Sequence, residues 1–235
     1  MENILITGHT LTLEELAAVC RENAPVALSP EAKQRILESR QVVDMLVDEA
    51  AVVYGITTGF GKFSDVTITQ DECKQLQRNL IVTHAVGAGE PFPRDVARGI
   101  MLLRVNNLAK GFSGTRLELV ETLVAMLNRG VTPVIPQKGS LGASGDLAPL
   151  SHMVLPMLGL GQAEYEGEVL PGDVAMARAG IPTVELVAKE GLALINGTQA
   201  MTSVGALAVY DAIRLMKTAD IAAAMSFEAN RGVKD

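Results

Sequence analysis

From Thr198 to about Ala229 the chain reads as one long helix that is apolar on several sides at once. Met201, Val204, Leu207, Ala208, Ile213, Leu215, Met216, Ile221, Ala222 and Met225 spread around it instead of forming one stripe. A helix with a single apolar stripe can lie on the surface of a core, but one that is apolar all round must be covered on most of its faces. That requirement calls for neighbours on most faces. Few segments upstream are suited to supply the cover, and the chain stops at Asp235, directly after this helix, with no further element to cover it.

The upstream sequence is also mainly helical. Thr12-Leu13-Glu14-Glu15 is a capping box and opens a helix to about Asn23. Ser29-Pro30 starts a second, with proline at its tolerated first position and an apolar stripe of Ile36, Val43, Val47 and Ala50. From Ala51 to Gly61 the chain turns glycine-rich and loses helical spacing. Thr69 to Glu72 form another capping box, followed by Cys73, Leu76, Leu80 and Thr83 along one face. Two more helices are marked by Val96, Ile100, Leu103 and Leu108, and by Leu117, Val120, Val124 and Leu127, with Gly130 ending the latter. A helix is predicted over 146–158, a hairpin around 164–169 and a short strand at 4–6. The predicted fold class is mainly α.

Composition narrows the chemistry. Aromatic residues make up 3% and there is no Trp, so the core must be aliphatic. The net charge is −7 with no basic block, which argues against nucleic acid and anionic membranes. Cys20 and Cys73 have neither metal-binding nor redox spacing, so no metal is expected. The N-terminus is too short and too acidic for a signal peptide, and no uninterrupted apolar run reaches the ~18 residues of a membrane span. A cytoplasmic protein is the default expectation.

Between the helices lies Gly139-Ser140-Leu141-Gly142-Ala143-Ser144-Gly145-Asp146. It lacks the lysine of a phosphate-binding loop, and Asp146 stands where a nucleophile elbow needs glycine. A bare Ala-Ser-Gly is ordinarily a flexible turn. These three residues are also able to cyclise. Gly145 has no Cβ and tolerates the compressed backbone required for its nitrogen to reach the Ala143 carbonyl carbon. Loss of water from that ring and from Ser144 leaves a methylidene on an imidazolone, an electrophile no ordinary side chain supplies.

The wider frame, Thr132-Pro133-Val134-Ile135-Pro136-Gln137-Lys138 through Gly145-Asp146-Leu147-Ala148-Pro149-Leu150-Ser151-His152, resembles the signature of the aromatic amino acid ammonia-lyases, which act on histidine, phenylalanine or tyrosine. The resemblance covers essentially the whole chain, while family members are about twice as long, so it implies the N-terminal half of a member, with a loop-rich N-terminal part that leads into long central helices. It implies that Ala143, Ser144 and Gly145 form the methylidene-imidazolone (MIO) group with no external cofactor. It further implies residues 1–190 as an MIO-bearing domain and 191–235 as the start of a central helical bundle. In the family that bundle assembles into a homotetramer.

Three further segments carry the likeness. Tyr54-Gly55-Ile56-Thr57-Thr58-Gly59-Phe60-Gly61 resembles the loop bearing the family's catalytic acid/base, which points to Tyr54; Thr57 stands where asparagine is commoner. A phenol titrates near ~10, so a basic role at neutral pH needs a perturbing environment. Thr83-His84 matches the pair of a small polar residue and histidine found in the histidine-specific members. His84 can exchange a hydrogen bond with an imidazole, as leucine cannot. Leu194-Ile195-Asn196-Gly197-Thr198 resembles the segment whose asparagine lies beside MIO, so Asn196 is expected to anchor the substrate carboxylate or an MIO oxygen. His152 is read as structural, and His9 and Lys138 as solvated surface.

The implied reaction is non-oxidative elimination of ammonia from L-histidine to give urocanate. Two alternatives stay open at this point. One is action on phenylalanine or tyrosine, as a lyase or aminomutase. The other is an inactive fragment that serves only folding or assembly, since the family's remaining site residues lie beyond this sequence.

Overall fold

The computed structural model describes residues 3–49, 51, 53, 55–56, 70–141 and 145–233. The expected strand β1 (Ile4–Ile6) pairs in parallel with β2 (Val26–Leu28), Ile4 opposite Val26 and Ile6 opposite Leu28. Between them runs α1 (Leu13–Arg21), and its capping box is made in full. Thr12 Oγ1 accepts the Glu15 N–H at 3.2 Å and Glu15 Oε2 accepts the Thr12 N–H at 2.9 Å. Ser29 caps α2 (Pro30–Asp48) by accepting the Ala32 N–H at 3.1 Å.

The next helix, α3 (Gln70–His84), departs from the expected stripe. Thr69 of its capping box lies outside the described residues. The helix buries Cys73, Gln77 and Ile81, while Leu76 and Leu80 are half-buried and Thr83 is exposed. The reason is polar. Gln77 Oε1 accepts the buried Gly191 N–H at 2.9 Å, so the helix turns a glutamine inward to satisfy an amide that would otherwise be orphaned.

At the centre lies α4 (Arg94–Leu108), packed against α1, α5 (Leu117–Arg129) and the first turns of a long C-terminal helix. Gly99 makes that last contact possible, because a Cβ there would overlap the Ser203 hydroxyl. The same hydroxyl donates to the Val96 carbonyl at 2.8 Å. Two cations, Arg98 and Arg104, are enclosed in this aliphatic core. Gly130 ends α5 in the left-handed conformation at φ 79°, as expected of a C-terminal glycine.

Short strands frame the glycine loop. β3 (Ala88–Pro91) runs antiparallel to β5 (Pro136–Lys138), while β4 (Thr132–Pro133) joins β6 (Gln162–Tyr165) and β7 (Glu168–Pro171) in an antiparallel sheet. Glu166 and Gly167, both at positive φ, turn the expected hairpin between β6 and β7. After the loop, α6 (Leu147–Val154) continues into a 3-10 turn at Leu155–Leu158; α7 (Gly172–Arg178) and α8 (Glu190–Ile195) follow.

The final helix, α9 (Gln199–Ala229), buries Gln199, Ala200, Ser203 and Leu207. From Asp211 to Val233 every residue is exposed, including Leu215, Met216, Ile221 and Met225. These are among the apolar positions that the sequence spreads around the helix. By length and composition alone, Glu190–Ala229 is apolar enough to cross a membrane, which a count of uninterrupted apolar runs did not register. Its first turns, however, are packed in the protein core, and Asp211 forms a two-pronged ion pair with Arg21 at 2.5 and 2.8 Å.

Candidate active site

The glycine loop and the turn between α8 and α9 meet backbone to backbone. Gly145 has φ 134°, and a Cβ on it would overlap the Gly197 carbonyl. The next residue, Asp146, donates its N–H to the Gly197 oxygen at 2.6 Å. Only glycine meets both demands at 145: a left-handed backbone and no volume beyond Cα. Those are the demands ring closure by the Gly145 nitrogen would impose, so the cradle fits the MIO group on the side that is described. Ala143 and Ser144 lie outside the described residues, as does Tyr54.

Asp146 locks this contact. Its buried carboxylate accepts the Ser140 hydroxyl at Oδ1 (3.0 Å) and the Met201 N–H at Oδ2 (2.9 Å). Met201 is the third residue of α9, whose own N-cap, Thr198, makes no side-chain cap bond. A helix begins with four unsatisfied N–H groups, and the carboxylate takes one of them from outside at the positive end of the dipole. Sequence reasoning passed over Asp146 except to exclude an elbow. The available signal was an acidic residue at the very start of an apolar helix.

Arg104 supports the turn from below. Its Nη1 donates to the Asn196 carbonyl at 3.0 Å and to Gln199 Oε1 at 2.9 Å, and its Nη2 donates to the Ala193 carbonyl. Arg104 has no carboxylate partner among the described residues, and its Nε is enclosed without an acceptor. Burial holds its pKa down at about 10, which still leaves a cation at neutral pH. Sequence reasoning missed Arg104 as well. A charge on the apolar side of α4, between Met101 and Val105, was the clue.

The Asn196 side chain is exposed and makes no hydrogen bond among the described residues, so it stays available to a ligand; its backbone holds the turn. Gly145 and the Asn196-Gly197 turn are thus brought together as expected. Thr83 and His84 join the site frame less directly, through the link from α3 to β3. The His84 Nδ1 lies 2.8 Å from the Leu80 carbonyl, which can only accept, so the ring proton sits on Nδ1. In the neutral ring that leaves Nε2 as an acceptor. Thr83 donates its hydroxyl back to Asn79 at 2.7 Å. No described hydrogen bond joins either residue to Gly145 or Asn196.

His152 bolts that link to the loop. Its Nε2 accepts the Gly87 N–H at 3.0 Å from α6, and burial lowers its pKa. Gly87 itself packs against Gly139 at the entrance of the glycine loop. The structural reading of His152 matches this geometry. His9 and Lys138 are exposed, as expected.

Residues 11–235 match the aromatic amino acid lyase family. The chain is 60% identical over 235 residues to the histidine ammonia-lyase of Clostridium tetani, covering all of this chain and 46% of that protein. Among solved structures it resembles the histidine ammonia-lyase of Trypanosoma cruzi, with a TM-score of 0.90 and 40% identity over 99% of this chain and 45% of that one. It also resembles the tyrosine aminomutase of Streptomyces globisporus, with a TM-score of 0.88 and 37% identity over 97% of this chain and 43% of that one. The chain spans about half the length of the curated relatives it matches.

Proposed function

Because the chain belongs to the aromatic amino acid lyase family, we propose that it is the N-terminal part of a histidine ammonia-lyase, which eliminates ammonia from L-histidine to give urocanate. The observation that carries this reading is the Gly145 backbone, held at φ 134° against Gly197 where no side chain fits. It lies within an Ala-Ser-Gly step whose cyclised form is the electrophile such a reaction needs. What favours histidine is the Thr83-His84 pair, whose order is that of the histidine-specific members; the acceptor at His84 Nε2 takes the N–H of an imidazole and finds no donor on a phenylalanine ring.

The chemistry has two difficult parts, expulsion of an amine and removal of a proton from an unactivated β-carbon. Ala143, Ser144 and Gly145 would provide the MIO group, whose chemistry there would be that of an electron-poor carbon able to turn the amine into a better leaving group. Tyr54 takes the β-proton, which requires its phenol to be poised well below ~10. His84 Nε2 accepts the imidazole N–H and so orients the ring. Asn196, at the mouth of the turn beside Gly145, holds the substrate carboxylate through its amide. Thr83 lines the approach next to His84. Within the same reading, residues 1–190 carry the electrophile and 191–235 open the helical bundle. The exposed apolar half of α9 is then a surface for further long helices in a cytoplasmic homotetramer.

Mass spectrometry of the peptide spanning 139–150 tests the proposal. Ring closure and dehydration remove two waters, so the peptide should be lighter by about 36 Da. Near-ultraviolet absorbance should accompany the loss, and histidine should yield urocanate. An unmodified peptide from assembled protein refutes the reading. Release of cinnamate or coumarate in preference to urocanate refutes the substrate assignment alone.

A further inference from the structure

We infer that Arg104 is a positioning residue for the electrophile. It holds the Asn196-Gly197 turn against Gly145, and so governs both ring closure at the Gly145 nitrogen and the placement of Asn196. The inference rests on the reading above and deepens it.

The argument starts from cost. A buried charge without a countercharge is expensive, and only the acceptors it satisfies offset that cost. Arg104 is 2% exposed and lies among aliphatic residues of α4. Yet its described bonds all go to one small patch, the end of α8 and the first residue of α9. The carbonyls of Ala193 and Asn196 belong to the last turn of α8, where acceptors lack intrahelical partners. Three donor contacts from one planar fork fix the turn in position and in angle, as a single amine would not.

The turn then passes that constraint on. A Cβ on Gly197 would overlap both Arg104 Nη1 and Gln199 Oε1, so the turn backbone rests directly on the guanidinium. Its other side meets Gly145, and the Gly197 oxygen accepts the Asp146 N–H. An unbroken line of contact therefore runs from α4 through Arg104 and Gly197 to Gly145. In ring closure the Gly145 N–H adds across the Ala143 carbonyl, its proton passing to the oxygen. That hydroxyl leaves as water with the Ser144 N–H proton, and the Ser144 hydroxyl leaves as a second water with its Cα proton. The attack needs the nitrogen pressed toward the carbonyl, and a turn that slips by a fraction of an ångström relieves that pressure.

Arg98 provides an internal control. It lies on the same helix, is equally enclosed, and has its pKa lowered to about 10 by the same burial. Among the described residues it donates to the carbonyls of Val19 and Leu127, at the ends of α1 and α5. Arg98→Met and Arg104→Met should both lower stability. Only Arg104→Met should leave the 139–150 peptide largely unmodified, with the cyclised fraction and its near-ultraviolet band reduced at least tenfold in folded, full-length protein. Arg104→Lys, which keeps the cation but replaces the planar fork by a single amine, should restore only a minor part of the band. Gln199→Met removes one acceptor and serves if Arg104→Met does not fold; it should slow ring closure severalfold in newly synthesised protein. In the molecules that do cyclise, KM for histidine should rise through Asn196. Full cyclisation in Arg104→Met, or an unchanged rate of ring closure in Gln199→Met where that serves, overturns the inference, as does an equal loss in Arg98→Met. Absence of the mass loss in the unsubstituted protein instead overturns the reading on which it rests.

Discussion

Replacing Arg116 should cost the fold more than replacing Glu190, although both changes break the same ion pair. Glu190 is fully enclosed at the start of α8, whereas the Arg116 side chain is 32% exposed. The carboxylate accepts four bonds. Oε1 takes the Arg116 backbone N–H at 3.0 Å and Nε at 2.9 Å, and Oε2 takes Arg116 Nη2 at 2.9 Å and the Val187 N–H at 3.0 Å. Arg116→Met removes both guanidinium bonds and the countercharge, and leaves the carboxylate enclosed with two amides. Breaking a buried pair in this direction costs about 3–5 kcal/mol. Glu190→Gln removes the charge from the enclosed side instead. The guanidinium reaches water and keeps its bond to the Glu185 carbonyl at 2.6 Å, and the glutamine oxygen retains its share of donors. The loss is then roughly one charge-assisted bond and one unmatched amide, about 1.5–3 kcal/mol. The gap between the variants is about 2 kcal/mol, or roughly thirtyfold in the folding constant. The double variant should be less destabilised than the sum by about 1.5 kcal/mol, since no uncompensated charge remains inside. Urea unfolding followed by far-ultraviolet circular dichroism, at unchanged slope, reads all three numbers. If Arg116→Met costs no more than Glu190→Gln, or the two add within about 0.5 kcal/mol, the account of an enclosed carboxylate held by an exposed cation is wrong.

Four other outcomes follow from the geometry. His152 accepts a bond through Nε2 and its pKa is lowered by burial, so the unfolded chain binds its proton more readily. Its contribution should be complete above about pH 6.5 and decline as pH falls toward the folded value, and His152→Gln should flatten that part of the stability profile. Gly99→Ala should cost about 1–2 kcal/mol, overlap with the Ser203 hydroxyl outweighing the gain in helix propensity, and adding Ser203→Ala should restore most of it in thermal melts. Gly145→Ala should give a 139–150 peptide with no loss of water, because the new methyl meets the Gly197 carbonyl; detection of the lighter mass would contradict the cradle. His84→Leu should lower kcat/KM for histidine about ten- to hundredfold through loss of the acceptor, and unchanged turnover would remove His84 from recognition.

Local signals in the sequence were reliable where a local cause acts. The capping box at Thr12 and Glu15, the Ser29-Pro30 start, the αL glycine at 130 and the turn at Glu166-Gly167 depend on neighbours along the chain, and each is found. The face of α3 was misread because Gln77 is buried by a bond to Gly191, a partner distant in sequence. Gly145 and Asn196 were legible through the pattern of residues around them, and the structure does bring their segments into contact. The supports of that contact were not legible. Arg104, Asp146 and His152 act on Asn196, Met201 and Gly87 across long stretches of chain, and no periodicity marks such a pairing. What a single sequence offers instead is an anomaly, a charge where the pattern calls for an apolar residue.

The long helix ties these strands together. At 1.5 Å per residue its 31 residues extend for about 46 Å. Among the described residues its hold on the rest of the molecule is confined to residues 199–211: the Asp146 cap on Met201, the Ser203 bond to Val96, the buried Leu207 and the Arg21 pair on Asp211. Beyond Asp211 the helix is exposed on every side, with apolar groups that propensity alone stabilises poorly in water. Most of the stability of that portion must therefore come from whatever packs on it. A helix transmits such packing as a nearly rigid rod, and this one begins at the turn that rests on Arg104 and faces Gly145. The exposed portion and the turn that faces Gly145 are consequently two ends of one element.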